Sequence, residues 1–248
     1  MSNRCTRVPR GDTGWLPPES AGSNTRLRPL LSSTVFWKRW TRVIVWDDLR
    51  LVYLRVPKSA NSSIRLSLPG GEQQRLDIQR LERRFPGHLS FSFVRNPWAR
   101  LVSVYCDKIR PEPVADDPHF PNGVHRGFVQ RGLPMRAGMP FEEFAEVTCA
   151  HADEATEKHL MSQAFFLVRD GAIVPSFLGR VESMADDWRS LAAMAGFEAP
   201  VMHLNRTQHA DYTSYYDGRL VNLVGDRYRP DVEIFGYDFK PDPAAPRA

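Results

Sequence analysis

Cysteine is scarce in this 248-residue chain. Cys5, Cys106 and Cys149 are too few and too scattered for a disulfide framework, a cysteine-rich metal site or a paired redox motif, so a reducing compartment is expected. Long apolar runs are missing too: nothing approaches the ~18 consecutive residues needed to span a bilayer. Arg4, Arg7 and Arg10 open the chain without a following apolar segment. That gives no expectation of a secretory signal, and the expected location is cytoplasmic. Charge of one sign is also limited, with 33 Lys+Arg against 29 Asp+Glu and a net charge of +4. This balance suits an anionic ligand. It is too mild, and too free of basic stretches interleaved with aromatics, for a nucleic-acid binder. What is present, 42% hydrophobic and 25% charged residues, belongs to an ordinary folded domain.

Residues 1–33, rich in Pro, Gly, Ser, Asn and Arg, read as a flexible arm, 34–240 as one domain and 241–248 as a tail. Val35–Trp40 reads either as an amphipathic helix on the core or as a partner or membrane-surface contact. Leu51–Val56 is a short strand closed by Pro57. Ser62–Leu68 starts a helix, Leu76–Phe85 reads as another, and Ser90–Val94 is the next strand. Pro97 opens a helix whose apolar face carries Trp98, Leu101, Val102, Tyr105 and Ile109, with Arg100, Ser103 and Asp107 opposite. Residues 111–139 form a long loop. Phe141–Thr148 and Asp153–Ala164 look helical, and Ala164–Val168 and Ile173–Val181 resemble strands around a turn at Arg169-Asp170-Gly171. Ser183 and Asp217 each precede a helical pattern as caps, and Gly196 ends the first of these. Strands alternating with helices indicate an α/β fold with a parallel sheet covered on both faces.

Two strand-to-helix turns carry the chemistry. Such a turn presents free N–H groups and the positive end of a helix dipole. In the first, Val56-Pro57-Lys58-Ser59-Ala60-Asn61-Ser62-Ser63, small residues admit an anion and Lys58 adds a mobile charge. In the second, Phe93-Val94-Arg95-Asn96-Pro97-Trp98, Arg95 can grip a phosphate bidentately, and Ser103 lies about two turns further on. Taken singly either is weak; together, each after a strand, they suggest a ligand with phosphate at two separate positions. Lysine precedes the small residues, which disfavours the GxxxxGK[ST] nucleoside-triphosphate loop and a small-molecule kinase.

The first turn resembles the 5′-phosphosulfate loop of PAPS-dependent sulfotransferases, and Phe93–Tyr105 is similar to the 3′-phosphate motif of their carbohydrate branch, the chondroitin 4-O-sulfotransferase-like enzymes. Met139-Pro140-Phe141-Glu142-Glu143-Phe144, His159 with Gln163, Leu178–Glu182, Leu204-Asn205-Arg206-Thr207 and Tyr228–Tyr237 follow in the family's order. The resemblance implies a P-loop-like, three-layer α/β fold with a central parallel sheet, and PAPS (3′-phosphoadenosine-5′-phosphosulfate) as co-substrate without a metal. It further implies that Lys58, Ser59, Ala60, Asn61, Ser62 and Ser63 hold the phosphosulfate, and that Arg95 and Ser103 bind the 3′ phosphate. The acceptor would be a hydroxyl of a carbohydrate or glycoconjugate. Ala60-Asn61 departs from the smaller or hydroxyl-bearing residues usual in that loop. His159, His88 and Glu157 are candidates for the general base. Basic residues of the 111–139 loop, among them His125, Arg126 and Arg131, are candidates for acceptor contacts. A non-catalytic nucleotide or anion binder is the reading from a different class.

Overall fold

The computed structural model describes residues 40–113, 117–200 and 211–240. The arm, most of the Val35–Trp40 segment, Leu204–Thr207 and the tail therefore lie outside the described residues. Strands β1 (Trp40–Trp46), β2 (Leu51–Leu54), β3 (Glu72–Asp77) and β4 (Leu89–Val94) come from the first part of the chain. With them come helices α1 (Asn61–Ser67), α2 (Leu81–Arg84) and α3 (Pro97–Lys108). Next follow α4 (Arg126–Gln130), α5 (Phe141–Cys149) and α6 (Gln163–Leu167). A two-residue hairpin pairs β5 (Val168–Arg169) with β6 (Ala172–Ile173), and β7 (Phe177–Arg180) completes the main sheet. Helices α7 (Met184–Ala195), α8 (Gly218–Arg227) and α9 (Arg229–Phe235) close the sequence.

The five-stranded sheet has the order β3-β1-β2-β4-β7. Pairing is parallel across β2-β4-β7 and antiparallel on both sides of β1, so β1 alone runs against the other strands. Alternation within the strands builds a core on each face. Val43, Val45, Val52, Leu54 and Val94 point to one face, where α3, α5, α6, α8 and α9 pack. Ile44, Trp46, Leu51, Tyr53, Phe91 and Phe93 point to the other, against Ile64 of α1 and Met184, Trp188 and Leu191 of α7. These are the three layers of an α/β sandwich. Gly179 is needed at its partner position opposite Phe93, because a β-carbon there would come within 2.4 Å of the phenyl ring.

Several expected elements are corrected. Residues 72–77 are an edge strand, and only Leu81–Arg84 of the expected 76–85 helix is α-helical; Asp77 ends the strand and accepts from the Gln79 amide. Ala164–Leu167 is helical, because the Ser162 hydroxyl caps it at Phe165 N while buried Asp231 accepts from the Gln163 and Ala164 amides. The span 153–162 is a 3-10 turn and a loop, tied down where Asp153 takes the Ser162 amide and hydroxyl and the Arg227 guanidinium. The long loop contains α4 and a 3-10 turn at Pro121–Gly123. Asp217 caps α8 and Gly196 ends α7 in the left-handed region, as expected. Ser183 precedes α7 without capping it; its hydroxyl donates to Asp187 instead. Among the described residues no helix is long and apolar enough to cross a membrane.

Candidate active site

Parallel strands β2 and β4 end side by side, so the turns that follow them meet at one edge of the sheet, where α/β proteins place ligands. The first turn is backbone-strained. Lys58 (φ 67°) and Ala60 (φ 59°) both adopt left-handed conformations without being glycine, at about 1–2 kcal/mol each. Surrounding bonds hold this shape. Asn61 donates to the Val56 carbonyl (2.7 Å) and accepts from the Tyr53 hydroxyl (2.7 Å), and Ser59 is wholly buried. The resulting arch leads into α1, whose N-terminus has no side-chain cap. Ser62 is exposed there, while Ser63 is buried. The second turn is held differently. Asn96 caps α3 at the Trp98 and Ala99 amides, donates to the Asp238 carbonyl, and offers its own amide to Glu182.

One residue joins the two turns. Gln163, itself fully buried, accepts from the Ser59 hydroxyl (3.0 Å) and the Arg95 amide (2.8 Å) through Oε1, and donates from Nε2 to the Arg95 carbonyl (2.7 Å). Beneath it, Arg100 is 1% exposed and donates to the carbonyls of Pro57, His159 and Met161. The guanidinium also lies over the Tyr228 ring, 5.4 Å from its centroid. Burying it without a direct ion pair among the described residues is costly, and its charge acts together with buried Asp231, whose carboxyl burial pushes up and Arg100 draws back down. The face of α3 carrying Arg100, Ser103 and Asp107 thus turns toward the first turn, and Ser103 is only 3% exposed.

Asp107 Oδ2 lies 3.2 Å from Lys58 Nζ and 3.0 Å from Lys108 Nζ. Burial opposes ionisation of Asp107, yet the two lysines hold its carboxyl below the usual range. Burial lowers the Lys58 ammonium, with Asp107 working the other way, and burial also lowers Arg95, with Glu182 opposing. Both turns therefore carry partly desolvated cations, which gain most from an anionic ligand.

His159 completes the cluster. Its Nδ1 is 2.7 Å from Glu157 Oε2, which also accepts the His159 amide at 2.8 Å. Burial holds the imidazole below its ordinary value of 6.5 despite Glu157, and His159 holds the Glu157 carboxyl low against burial. The pair is thus an ionised carboxylate orienting a neutral imidazole. His125 lies across from it, ring centroids 5.2 Å apart at 81°. A nitrogen of each histidine and a Glu157 oxygen fall within 4.8 Å of one another, a possible ligand set that the sequence did not suggest.

His88 is corrected. It precedes β4 and contacts Asp47 and the Pro86 carbonyl. The six residues of β4, at ~3.3 Å each, place it roughly 20 Å from Arg95, at the opposite end of the strand. Gln163 lies in a motif whose order alone gives it no role, and Asp107, Glu182 and Arg100 carry no local signal of one; each acts through a partner distant in sequence. The Asn96 cap is a further residue the sequence reading missed, although a local signal exists: Asn directly before Pro at a helix start is a capping signature.

These features define an α/β protein with two cation-bearing turns and a carboxylate–histidine pair. The sulfotransferase family model matches residues 71–238, and the chain belongs to that family. The match holds Arg95, Ser103, His125, Glu157, His159 and Gln163, and begins after the Lys58 turn. Over 180 residues the chain is 24% identical to carbohydrate sulfotransferase 10 of Homo sapiens and, to the same extent, of Pongo abelii, covering 65% of this chain and 50% of each relative. It therefore spans about half the length of the curated relatives it matches. No solved structure matches.

Proposed function

We propose that the chain transfers a sulfuryl group from PAPS to a carbohydrate hydroxyl. The observation that carries this reading is the Gln163 bridge, which sets the Lys58 and Arg95 turns at a fixed spacing beside the Glu157–His159 pair. Lys58 and the Ser59–Ser63 backbone would take the 5′ phosphosulfate, and Arg95 with Ser103 the 3′ phosphate. The acceptor oxygen attacks sulfur in line as the bond from sulfur to the bridging phosphate oxygen breaks. His159 Nε2 receives the hydroxyl proton, and Lys58 moves from Asp107 onto the leaving oxygen. Positioning and charge stabilisation supply most of the rate. The kinase reading has less support, because the turn places lysine ahead of its small residues.

The carbohydrate class is supported by the relatives' name and by the surface beside the site. Arg75 and Arg42 pair across β3 and β1, and the Arg55 amide bonds the Arg42 carbonyl, forming a row of like charge. No ion pair neutralises these three among the described residues. Directly opposed like charges are unfavourable unless an anion bridges them, so an acceptor bearing negative charge fits this face.

Two experiments bear on the reading. Transfer of label from [³⁵S]PAPS is expected with Arg95→Ala showing a KM for PAPS raised about tenfold or more, and a smaller change with adenosine 5′-phosphosulfate, which lacks the 3′ phosphate. Equal effects on both donors would remove Arg95 from the 3′ site. In the acid limb of the rate profile, activity should rise with pH through the His159 pKa, below 6.5. Glu157→Gln removes what raises that pKa, so the limb should move to lower pH while turnover falls roughly 10–100-fold. An unmoved limb would take the base role from His159.

A further inference from the structure

His125 has no role in the reading above, yet its hydrogen bonding is chemically matched to that of His159. Its Nδ1 accepts the Gly127 amide at 3.2 Å, capping α4. A neutral imidazole that accepts at Nδ1 carries its proton on Nε2, where it can only donate. His159 is the reverse: an ionised carboxylate only accepts, so His159 donates from Nδ1 to Glu157 and keeps its lone pair at Nε2. The edge-to-face rings, with a nitrogen of each and a Glu157 oxygen within 4.8 Å of one another, therefore carry one donor and one acceptor. A hydroxyl group is complementary to both.

We propose that His125 is a catalytic residue whose Nε2–H holds the acceptor hydroxyl oxygen while His159 Nε2 takes the hydroxyl proton; this rests on the sulfuryl-transfer reading. As the proton leaves, negative charge grows on the oxygen, and the His125 N–H bond strengthens at the moment it is needed. Gly127 makes the arrangement possible. A β-carbon there would meet Glu157 Cγ at 2.9 Å and the His125 ring at 3.1 Å, displacing both. The charges facing His125 are Lys108, Lys158 and Glu157, with His159 beside it. Burial, followed by Lys108 and His159, pushes its imidazole down to about 4, in keeping with the neutral ring that the Gly127 hydrogen bond requires. The same three side chains resemble a zinc ligand set. However, ligation through His125 needs a lone pair that is either engaged by Gly127 N–H or replaced by the Nε2 proton.

Long-range ¹H–¹⁵N correlation spectra of histidine-labelled full chain test the tautomers without any turnover. The expected result is His125 protonated at Nε2 and His159 at Nδ1, and the opposite tautomer at His125 overturns the proposal. Micromolar zinc that shifts both signals stoichiometrically also overturns it, in favour of a metal site. The second arm uses [³⁵S]PAPS with a panel of p-nitrophenyl monosaccharides. His125→Asn keeps an oxygen to cap Gly127 but lacks the reach of Nε2–H. It should lower kcat/KM for the acceptor about 10–100-fold with affinity for PAP (adenosine 3′,5′-bisphosphate) unchanged, as should His125→Phe. Full activity in His125→Asn would reduce His125 to a helix cap. Absence of turnover in the unsubstituted protein would strike the sulfuryl-transfer reading itself, and the substrate role of His125 with it, whatever the tautomers.

Discussion

Replacing Gln163 with leucine should separate the two turns and cost the protein both stability and nucleotide affinity. The side chain is fully buried and makes three hydrogen bonds, to the Ser59 hydroxyl and to the Arg95 amide and carbonyl. Leucine fills similar space and satisfies none of them. Leaving a buried polar group unpaired costs about 1–3 kcal/mol, and the wholly buried Ser59 hydroxyl has the least access to water as a substitute. A net loss of about 3 kcal/mol would lower Tm by roughly 6–12 °C in a chain of this size. Affinity for PAP should fall at least tenfold, because the spacing between the Lys58 and Arg95 turns is no longer enforced. Thermal unfolding with and without PAP checks both. A destabilised variant that still binds PAP with unchanged affinity would show that Gln163 supports the fold without setting the site.

Lys58→Ala should abolish most turnover while leaving the fold nearly untouched. Lys58 and Asp107 are partly exposed, so losing their ion pair changes stability by less than ~1 kcal/mol. Removing a charged donor from the leaving oxygen typically costs about 10²–10³ in kcat. Binding of PAP should weaken less than kcat falls, because the Arg95 turn and the backbone of the first turn remain. Single-turnover transfer measured beside calorimetry separates the two effects. A variant within threefold of full turnover would mean that the strained turn is structural.

How much of this was legible in the sequence depends on distance along the chain. The β2–turn–α1 and β4–turn–α3 units were readable because each is a local pattern of apolar strand, small or proline-bearing turn, and amphipathic helix. The edge strand Glu72–Asp77 was not. Its residues are polar apart from Leu76, and Leu81 and Phe85 beyond it share a helical spacing that suggested one longer helix. Residues 153–168 failed for a different reason. Their path is set by Asp153 with Arg227 and by Asp231 with the first amides of α6, bonds spanning most of the distance to the C-terminus. Lys58, Arg95 and His159 came from residue chemistry and motif order. Gln163 as the joint between turns, and His125 beside His159, follow from tertiary contacts that no local window contains. The strain at Lys58 and Ala60 was equally invisible, since neither residue type announces a left-handed backbone.

The most direct measurement is calorimetric titration of the purified chain with PAP, 5′-AMP and ATP. Two anion-holding turns at fixed spacing predict a strong preference for PAP, with affinity falling tenfold or more for 5′-AMP and in the Arg95→Ala variant. Equal binding of all three, or none, would contradict a site built for a 3′-phosphorylated nucleotide, and with it the assignment of sulfuryl transfer.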